Sequence, residues 1–215
     1  MIIYFDWDGV IARKEVSEKA NLRRADTLKM EKSEEYLKEG MKDESHFEDN
    51  KKAIKEYTGI KEDSFLTAVM TDLFKYHYLG VVNELKEDSF YEDVLEVLQR
   101  LKEEGHKLII ITGLVEDIIT YTLKSLGIES LFEGVYGNTS DLRLSKTEQA
   151  IEASKEHGKP DLFVGDKEKD LRAGKDLNCE TAFSTWGHGT EGLETSADYV
   201  LESPQDLLKI VREIE

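Results

Sequence analysis

A chain of 215 residues can bury one substantial core or two modest ones, and 39% hydrophobic content is that of an ordinary soluble globular protein. With 46 acidic against 29 basic side chains the formal charge is −17, which argues against nucleic acid and anionic lipid surfaces as partners, because both bind chiefly through Lys and Arg neutralising phosphates. Cys179 is the single cysteine, so an internal disulfide is excluded; no apolar run reaches transmembrane length, and the chain opens on a strand rather than a leader-like basic and apolar segment, which makes a reducing cytoplasm the expected compartment.

The first element is Ile2-Ile3-Tyr4-Phe5, a short apolar run of the buried, parallel-sheet type, stopped by Asp6-Trp7-Asp8-Gly9 with Gly9 supplying the turn. Two acids at the carboxyl end of such a strand repel one another. A bound cation is the usual remedy, and oxygen-rich clusters favour magnesium over zinc or copper. This is where a phosphoryl-transfer enzyme would put its nucleophile, although a capping Asp followed by a turn Asp has the same spelling.

Residues 13 to about 87 change character: charged, poor in Val and Ile and free of Pro, they read as an insertion of helices at 15–39, 43–57 and 61–78, broken near Gly40 and Thr58-Gly59. Phe65, Leu66, Val69, Met70, Leu73 and Phe74 give the third helix an apolar face, expected to be core packing. From about residue 90 helices and buried strands alternate: helix 91–104, strand Lys107–Ile111, helix 115–126, a strand near Val135, helix 146–157, strand Leu162–Val164, helix 168–177, strand Thr181–Phe183, then Tyr199–Leu201 and a last helix at about 205–213. This alternation argues for an α/β fold, a parallel sheet covered on both faces, joined by the strand at residues 2–5.

In an open parallel sheet, ligands gather outside the carboxyl ends of the strands. The residues there are Asp6 and Asp8, then Thr112 and Gly113, then Gly165, Asp166 and, a turn later, Asp170. Thr112-Gly113 reads either as a helix cap with a turn glycine or as a phosphate cradle of hydroxyl and free amides. Asp166 and Asp170 read either as turn and helix-start acids or as part of the site. Lys146, at a helix start, would alone be a surface lysine.

The ordered set Asp6-x-Asp8-Gly-Val, Ile-Ile-Ile-Thr112-Gly113, Lys146 and Gly165-Asp166-x-x-x-Asp170 resembles the four motifs of the haloacid dehalogenase-like hydrolase superfamily. The likeness is nearest to its phosphoglycolate-phosphatase-like branch. It covers residues 1–12 and 88–215 as a Rossmann-like catalytic core, and residues 13–87 fit the position and size of an inserted all-helical cap domain. Trp7 is bulkier than the usual residue between the acids, and Gly113-Leu114 stands where Asn is more usual after the threonine.

The resemblance implies that Asp6 is the nucleophile that takes the phosphoryl group, and that Asp8 is general acid and then general base, which requires its environment to raise its pKa from about 4. It further implies that Asp6, Asp166, Asp170 and the Asp8 backbone carbonyl gather around Mg2+, that Thr112 and the Gly113 amide bind phosphate oxygens, and that Lys146 offsets the charge. The activity expected is magnesium-dependent hydrolysis of a small phosphorylated metabolite, phosphoglycolate-like or a sugar phosphate. A sugar phosphomutase and a non-catalytic phosphate- or protein-binding domain stand as alternatives, and the oligomeric state is not readable.

Further features are weaker. Arg13, Lys14, Lys19, Arg23 and Arg24 form a local basic excess that either draws in an anionic substrate or solvates a helix face. Thr58-Gly59-Ile60 is a specificity loop or a plain connection. His188, in Trp186-Gly187-His188-Gly189 after the strand at 181–183, touches substrate or is merely exposed. His46, His77, His106 and His157 lack metal-ligand spacing, and Cys179 is expected to be a small buried hydrophobe.

Overall fold

The computed structural model describes residues 1–27, 55, 59, 63–139, 142–189 and 192–215. The chain divides into two compact units, Met1–Lys14 with Glu87–Glu215, and Glu15–Lys86. In the first unit the strands are β1 (Ile2–Phe5), β2 (Lys107–Val115), β3 (Gly134–Asn138), β4 (Leu162–Gly165), β5 (Glu180–Ser184) and β6 (Tyr199–Leu201). Its helices are α3 (Val94–Glu103), α4 (Glu116–Leu126), α5 (Lys146–His157), α6 (Glu168–Asp176) and α7 (Asp206–Ile214). The six strands form one sheet in the order β3-β2-β1-β4-β5-β6, every pair parallel. This is the doubly wound, Rossmann-like α/β fold expected from the alternation of helices and strands.

Side chains alternate across the sheet and are buried on both faces. On one face Tyr4, Ile109, Ile111 and Phe163 pack against Ala150 and Ala153 of α5 and Ala173 and Leu177 at the end of α6. Small helix residues permit this close approach: a Cβ on Gly174 would lie 2.5 Å from Thr181 Cγ2 and 3.1 Å from Phe163 Cβ. On the other face Phe5 and Val164 share space with Val94, Val97 and Leu98 of α3 and Leu207 of α7. Strand order reverses between β1 and β4, and the carboxyl ends of those two strands form the crevice where such folds receive ligands.

Most expected elements appear within a residue or three of their expected ends, but β2 is a correction. It runs four residues past Ile111, to Val115, and α4 starts only at Glu116, so Thr112 is not a helix cap. The register explains why: Ile111 pairs with Tyr136 and Val115 with Asn138, four residues advancing against two. The surplus of β2 bows out around Thr112–Leu114.

In the second unit α1 (Lys14–Thr27, its first residue shared with the core) and α2 (Asp63–Leu85) are described; of the expected helix at 43–57 only Lys55 is described, as helical, and residues 28–39 of the first expected helix, the Gly40 break, Thr58 and Ile60 lie outside the described residues. The helix expected at 61–78 extends to Leu85, because Gly80 does not break it. Its buried ridge is Leu66, Met70 and Tyr78, continued by Val81 and Val82, whereas Phe65 is 54% exposed and Val69, Leu73 and Phe74 are half-buried. Arg23 donates to both Glu84 carboxylate oxygens at 2.8 and 2.6 Å, and the Arg24 guanidinium lies over Phe74.

No described helix is long and apolar enough to cross a membrane. Cys179 is partly buried against the α5–α6 side of the core, donates its thiol proton to Gly174 O and, through burial first, is pushed up to about 12. Its thiolate is therefore scarce at neutral and mildly basic pH. Alkylation by iodoacetamide at pH 8.5 is expected to run about a hundredfold slower in the native protein than in urea. The native rate should keep rising as pH is raised past 9, where an ordinary thiol levels off; equal rates in both states would contradict the assignment.

Candidate active site

The sequence-derived residues are delivered by neighbouring strand ends. β1 sits between β2 and β4, so Asp6 emerges beside both, and its backbone N–H donates to Val164 O at 2.9 Å. Lys146 is the first residue of α5, which is started by a capping box between Ser145 and Glu148. That start aims the lysine into the sheet end, where its side chain is 3% exposed. Lys146 Nζ donates to Asp6 Oδ1 at 2.5 Å and to Ile111 O at 2.7 Å, and forms an ion pair with Asp170 Oδ1 at 3.0 Å. Asp6 Oδ1 also accepts from Trp7 N at 2.7 Å, while Asp6 Oδ2 accepts no hydrogen bond among the described residues.

Asp166 leaves the end of β4 and Asp170 sits in the first turn of α6, both fully buried. Asp170 Oδ2 accepts from Lys167 N at 3.0 Å, fixing that helix start. Asp6, Asp166 and Asp170 each offer one carboxylate oxygen, and the three oxygens lie within 4.8 Å of one another. Among the described residues Asp166 Oδ1 is buried with no hydrogen-bond partner. A set of hard oxygen donors with one buried oxygen unmatched by any proton donor fits a hard divalent cation such as magnesium.

Electrostatics agree with that fit. Burial pushes Asp166 up to about 7, helped by the charges of Asp6 and Asp170, so three packed acids cannot all ionise without added positive charge. Burial dominates for Asp170 as well, and with Asp6 raises it despite Lys146. Asp6 differs: burial opposes its charge, yet Lys146, Lys167 and Lys169 together outweigh burial and hold it below the ordinary carboxylate range. Lys146 is likewise raised, the attraction of Asp170 and Asp6 overcoming its burial. The geometry thus separates one ionised acid from two reluctant ones.

Asp8 lies in the loop beyond, half-buried, in an isolated bridge with Ala12. The loop turns tightly, with Val10, Ile11 and Ala12 N–H groups all directed at Trp7 O, and Gly9 sits at φ +89°. A Cβ there would lie 2.1 Å from Asp166 Oδ2, so only glycine lets this loop pass Asp166. The Asp8 carboxylate is not one of the three clustered acids.

Thr112 is buried and Gly113 exposed in the bowed segment of β2. Thr112 Oγ1 accepts from Leu114 N at 3.1 Å, which leaves the hydroxyl proton free to point elsewhere. Asn138, unremarked in the sequence, donates from Nδ2 to Gly113 O at 2.7 Å and accepts from Leu144 N at 2.8 Å, locking the bow in place. Nothing in a Gly-Asn pair at the end of a strand marks that role. Lys167 and Lys169 were also missed, although the spelling Asp166-Lys-Glu-Lys-Asp170 puts a lysine beside each acid; both are half-buried and neither forms an ion pair among the described residues. Lys169 Nζ lies 3.5 Å from where a Gly113 side chain would begin.

Other expectations end differently. In the first unit Arg13 donates to Phe90 O and Lys14 to Gly187 O, and in the second Arg23 is paired with Glu84, so much of the basic excess is committed to intramolecular contacts. His188 meets Asp166, with its N–H 2.5 Å and its Nδ1 3.3 Å from Asp166 Oδ2. Its imidazole is held down at about 4 by burial and by the nearby Lys167, Lys14 and Lys169 charges. His106 is buried beside the N-terminal ammonium, His157 stacks edge-on with Tyr136 and His77 bonds Thr27, all outside this cluster; His46 lies outside the described residues.

A family model described as haloacid dehalogenase-like hydrolase matches residues 3–184. The chain is 26% identical to a phosphoglycolate phosphatase of Aquifex aeolicus over 222 residues, covering 98% of this chain and 96% of that one. It is 34% identical to the pyrophosphatase PpaX of Listeria welshimeri over 134 residues, 58% of this chain and 60% of that one. Among solved structures, the beta-phosphoglucomutase of Clostridium difficile superposes with a TM-score of 0.72 at 17% identity, over 100% of this chain and 97% of that one, a likeness of fold. That family model spans most of the chain, and the chain belongs to the haloacid dehalogenase-like hydrolase family.

Proposed function

We propose that this hydrolase is a magnesium-dependent phosphatase acting on a small phosphorylated metabolite, with Asp6 as nucleophile. The observation that carries the reading is the division of labour within one carboxylate: Asp6 Oδ1 is clamped by Lys146 Nζ and Trp7 N, while Oδ2 has no donor among the described residues. An ionised oxygen in that state attacks phosphorus; the P–O bond to the leaving alcohol breaks as the Asp6 acyl phosphate forms. Asp8 gives its proton to the leaving oxygen, then takes one from the water that attacks the acyl phosphate and releases inorganic phosphate and free Asp6.

The carboxylates of Asp6, Asp166 and Asp170, with the Asp8 backbone carbonyl, are the groups to hold magnesium, which when bound supplies positive charge against the phosphoryl oxygens. Thr112 Oγ1 and the Gly113 N–H bind those oxygens, and Lys146 offsets the added negative charge. Lys167 and Lys169 raise the local potential in a strongly acidic chain, attracting an anionic substrate that the net charge would repel. The helical unit Glu15–Lys86 is the cap, whose opening and closing govern water entry and specificity. Phosphoglycolate and sugar phosphates are the substrate classes to test first, the former named by the Aquifex relative.

With an aryl phosphate as substrate, Asp6→Asn is expected to lower kcat at least about a thousandfold. Retained full turnover in magnesium would dismiss the nucleophile. Lys146→Met leaves two buried acids facing each other, and should cost about 3–5 kcal/mol of stability in urea titrations. It should also lower kcat/KM by about a hundredfold or more; a variant as stable as the parent would show that the buried pair is not coupled as described. EDTA is expected to abolish turnover and added magnesium to restore it, and activity persisting in EDTA would exclude the metal.

A further inference from the structure

Four residues after β5, Trp186-Gly187-His188-Gly189, run directly against Asp166. A Cβ on Gly187 would lie 2.4 Å from both Asp166 Cβ and Oδ2, and one on Gly189 would lie 2.6 Å from Asp166 O. Only glycine permits either approach. The segment is anchored from three directions: Trp186 Nε1 donates to Val10 O, Tyr91 Oη donates to Trp186 O, and Lys14 Nζ donates to Gly187 O, each at 3.2 Å. Between these anchors the His188 side chain, 7% exposed, is enclosed next to Gly9, whose Cβ position is 3.0 Å from Nδ1.

The consequence falls on one carboxylate. Asp166 Oδ2 accepts the His188 N–H at 2.5 Å and faces His188 Nδ1 at 3.3 Å, whereas Oδ1 is buried and accepts nothing among the described residues. A carboxylate held at one oxygen by two donors of a rigid loop cannot rotate, so its other oxygen keeps a single direction. We infer that His188 is a positioning residue for Asp166: with the proton on Nδ1 it fixes Oδ2 and thereby presents Oδ1 to a divalent cation. The inference rests on the magnesium-dependent reading of the site, and assigns the loop histidine to the metal-holding acid rather than to the substrate.

The geometry separates His188 replacements by the height of their donor. Asparagine places an amide N–H where Nδ1 stands, glutamine places it one carbon farther out, and leucine has none. Binding of Mn2+, an ion that suits the same oxygen donors, is followed on the purified full chain by the loss of the free-ion signal in electron paramagnetic resonance. H188L is expected to bind Mn2+ about 10- to 100-fold more weakly, the cost usual for removing a group that orients a metal ligand. H188Q should match H188L, and H188N should return to within about threefold of the parent. Unfolding midpoints in EDTA separate loss of the fold from loss of the contact, and if H188L does not fold, the comparison of H188N with H188Q decides. Parental affinity in H188L, or H188Q binding as well as H188N, would overturn the positioning role while leaving the phosphatase reading intact. A parent chain that binds no Mn2+ and shows no magnesium-dependent turnover would overturn both.

Discussion

The contact on which the rest of the site depends is the buried ammonium of Lys146 between Asp6 and Asp170. A lysine and two acids removed from water are costly, and their mutual attraction offsets that cost only when geometry and hydrogen bonding are good. Here Lys146 Nζ is satisfied by Asp6 Oδ1, Ile111 O and the Asp170 carboxylate, so the cation touches the β1 end, the β2 end and α6 at once. It ties strand to strand and strand to helix at the place where the sheet opens, and with Lys167 and Lys169 it keeps Asp6 ionised while its neighbours resist ionisation.

Around that contact the backbone is arranged by what is missing from it. Gly9 and Gly187 bring two separate loops onto Asp166, one from β1 and one from β5. In β3, a Cβ on Gly137 would lie 2.8 Å from Leu114 O and 3.0 Å from Thr112 Cγ2, so its absence makes room for the bowed end of β2. Asn138 then holds the bow from below through Gly113 O. The surplus residues of β2 thus end in a fixed turn with Thr112 and Gly113 at its tip rather than in a loose loop. In a chain of formal charge −17, Lys14, Lys146, Lys167 and Lys169 are concentrated around the acids, and this local balance matters more to an anionic ligand than the total.

Much of this was legible in one dimension. The continuous apolar run Ile2–Phe5, the apolar triplet Ile109–Ile111 and the run Leu162–Val164 are strong local signals, and the order in which they precede Asp6, Thr112 and Asp166 carries the family likeness. Less legible were groups that act through a partner distant in sequence. Asn138 matters because Gly113, 25 residues earlier, turns its carbonyl toward it. His188 matters because Asp166, 22 residues earlier, lies under its backbone. For Thr112-Gly113 the sequence leaves a helix cap and a phosphate cradle both open, because Thr-Gly ahead of Glu116-Asp117 has the composition of a helix start. Only pairing with β3 shows that the strand continues.

The sequence by itself therefore determined the elements, their alternation and the identity of the acids, because hydrophobic periodicity and strand-end chemistry are local properties. Tertiary structure decided which acid stays charged, which oxygen of Asp6 and of Asp166 is engaged, and which lysines belong to the site. Those outcomes depend on burial and on distances of a few ångströms between segments far apart in the chain, where Coulomb energies and desolvation change steeply with position.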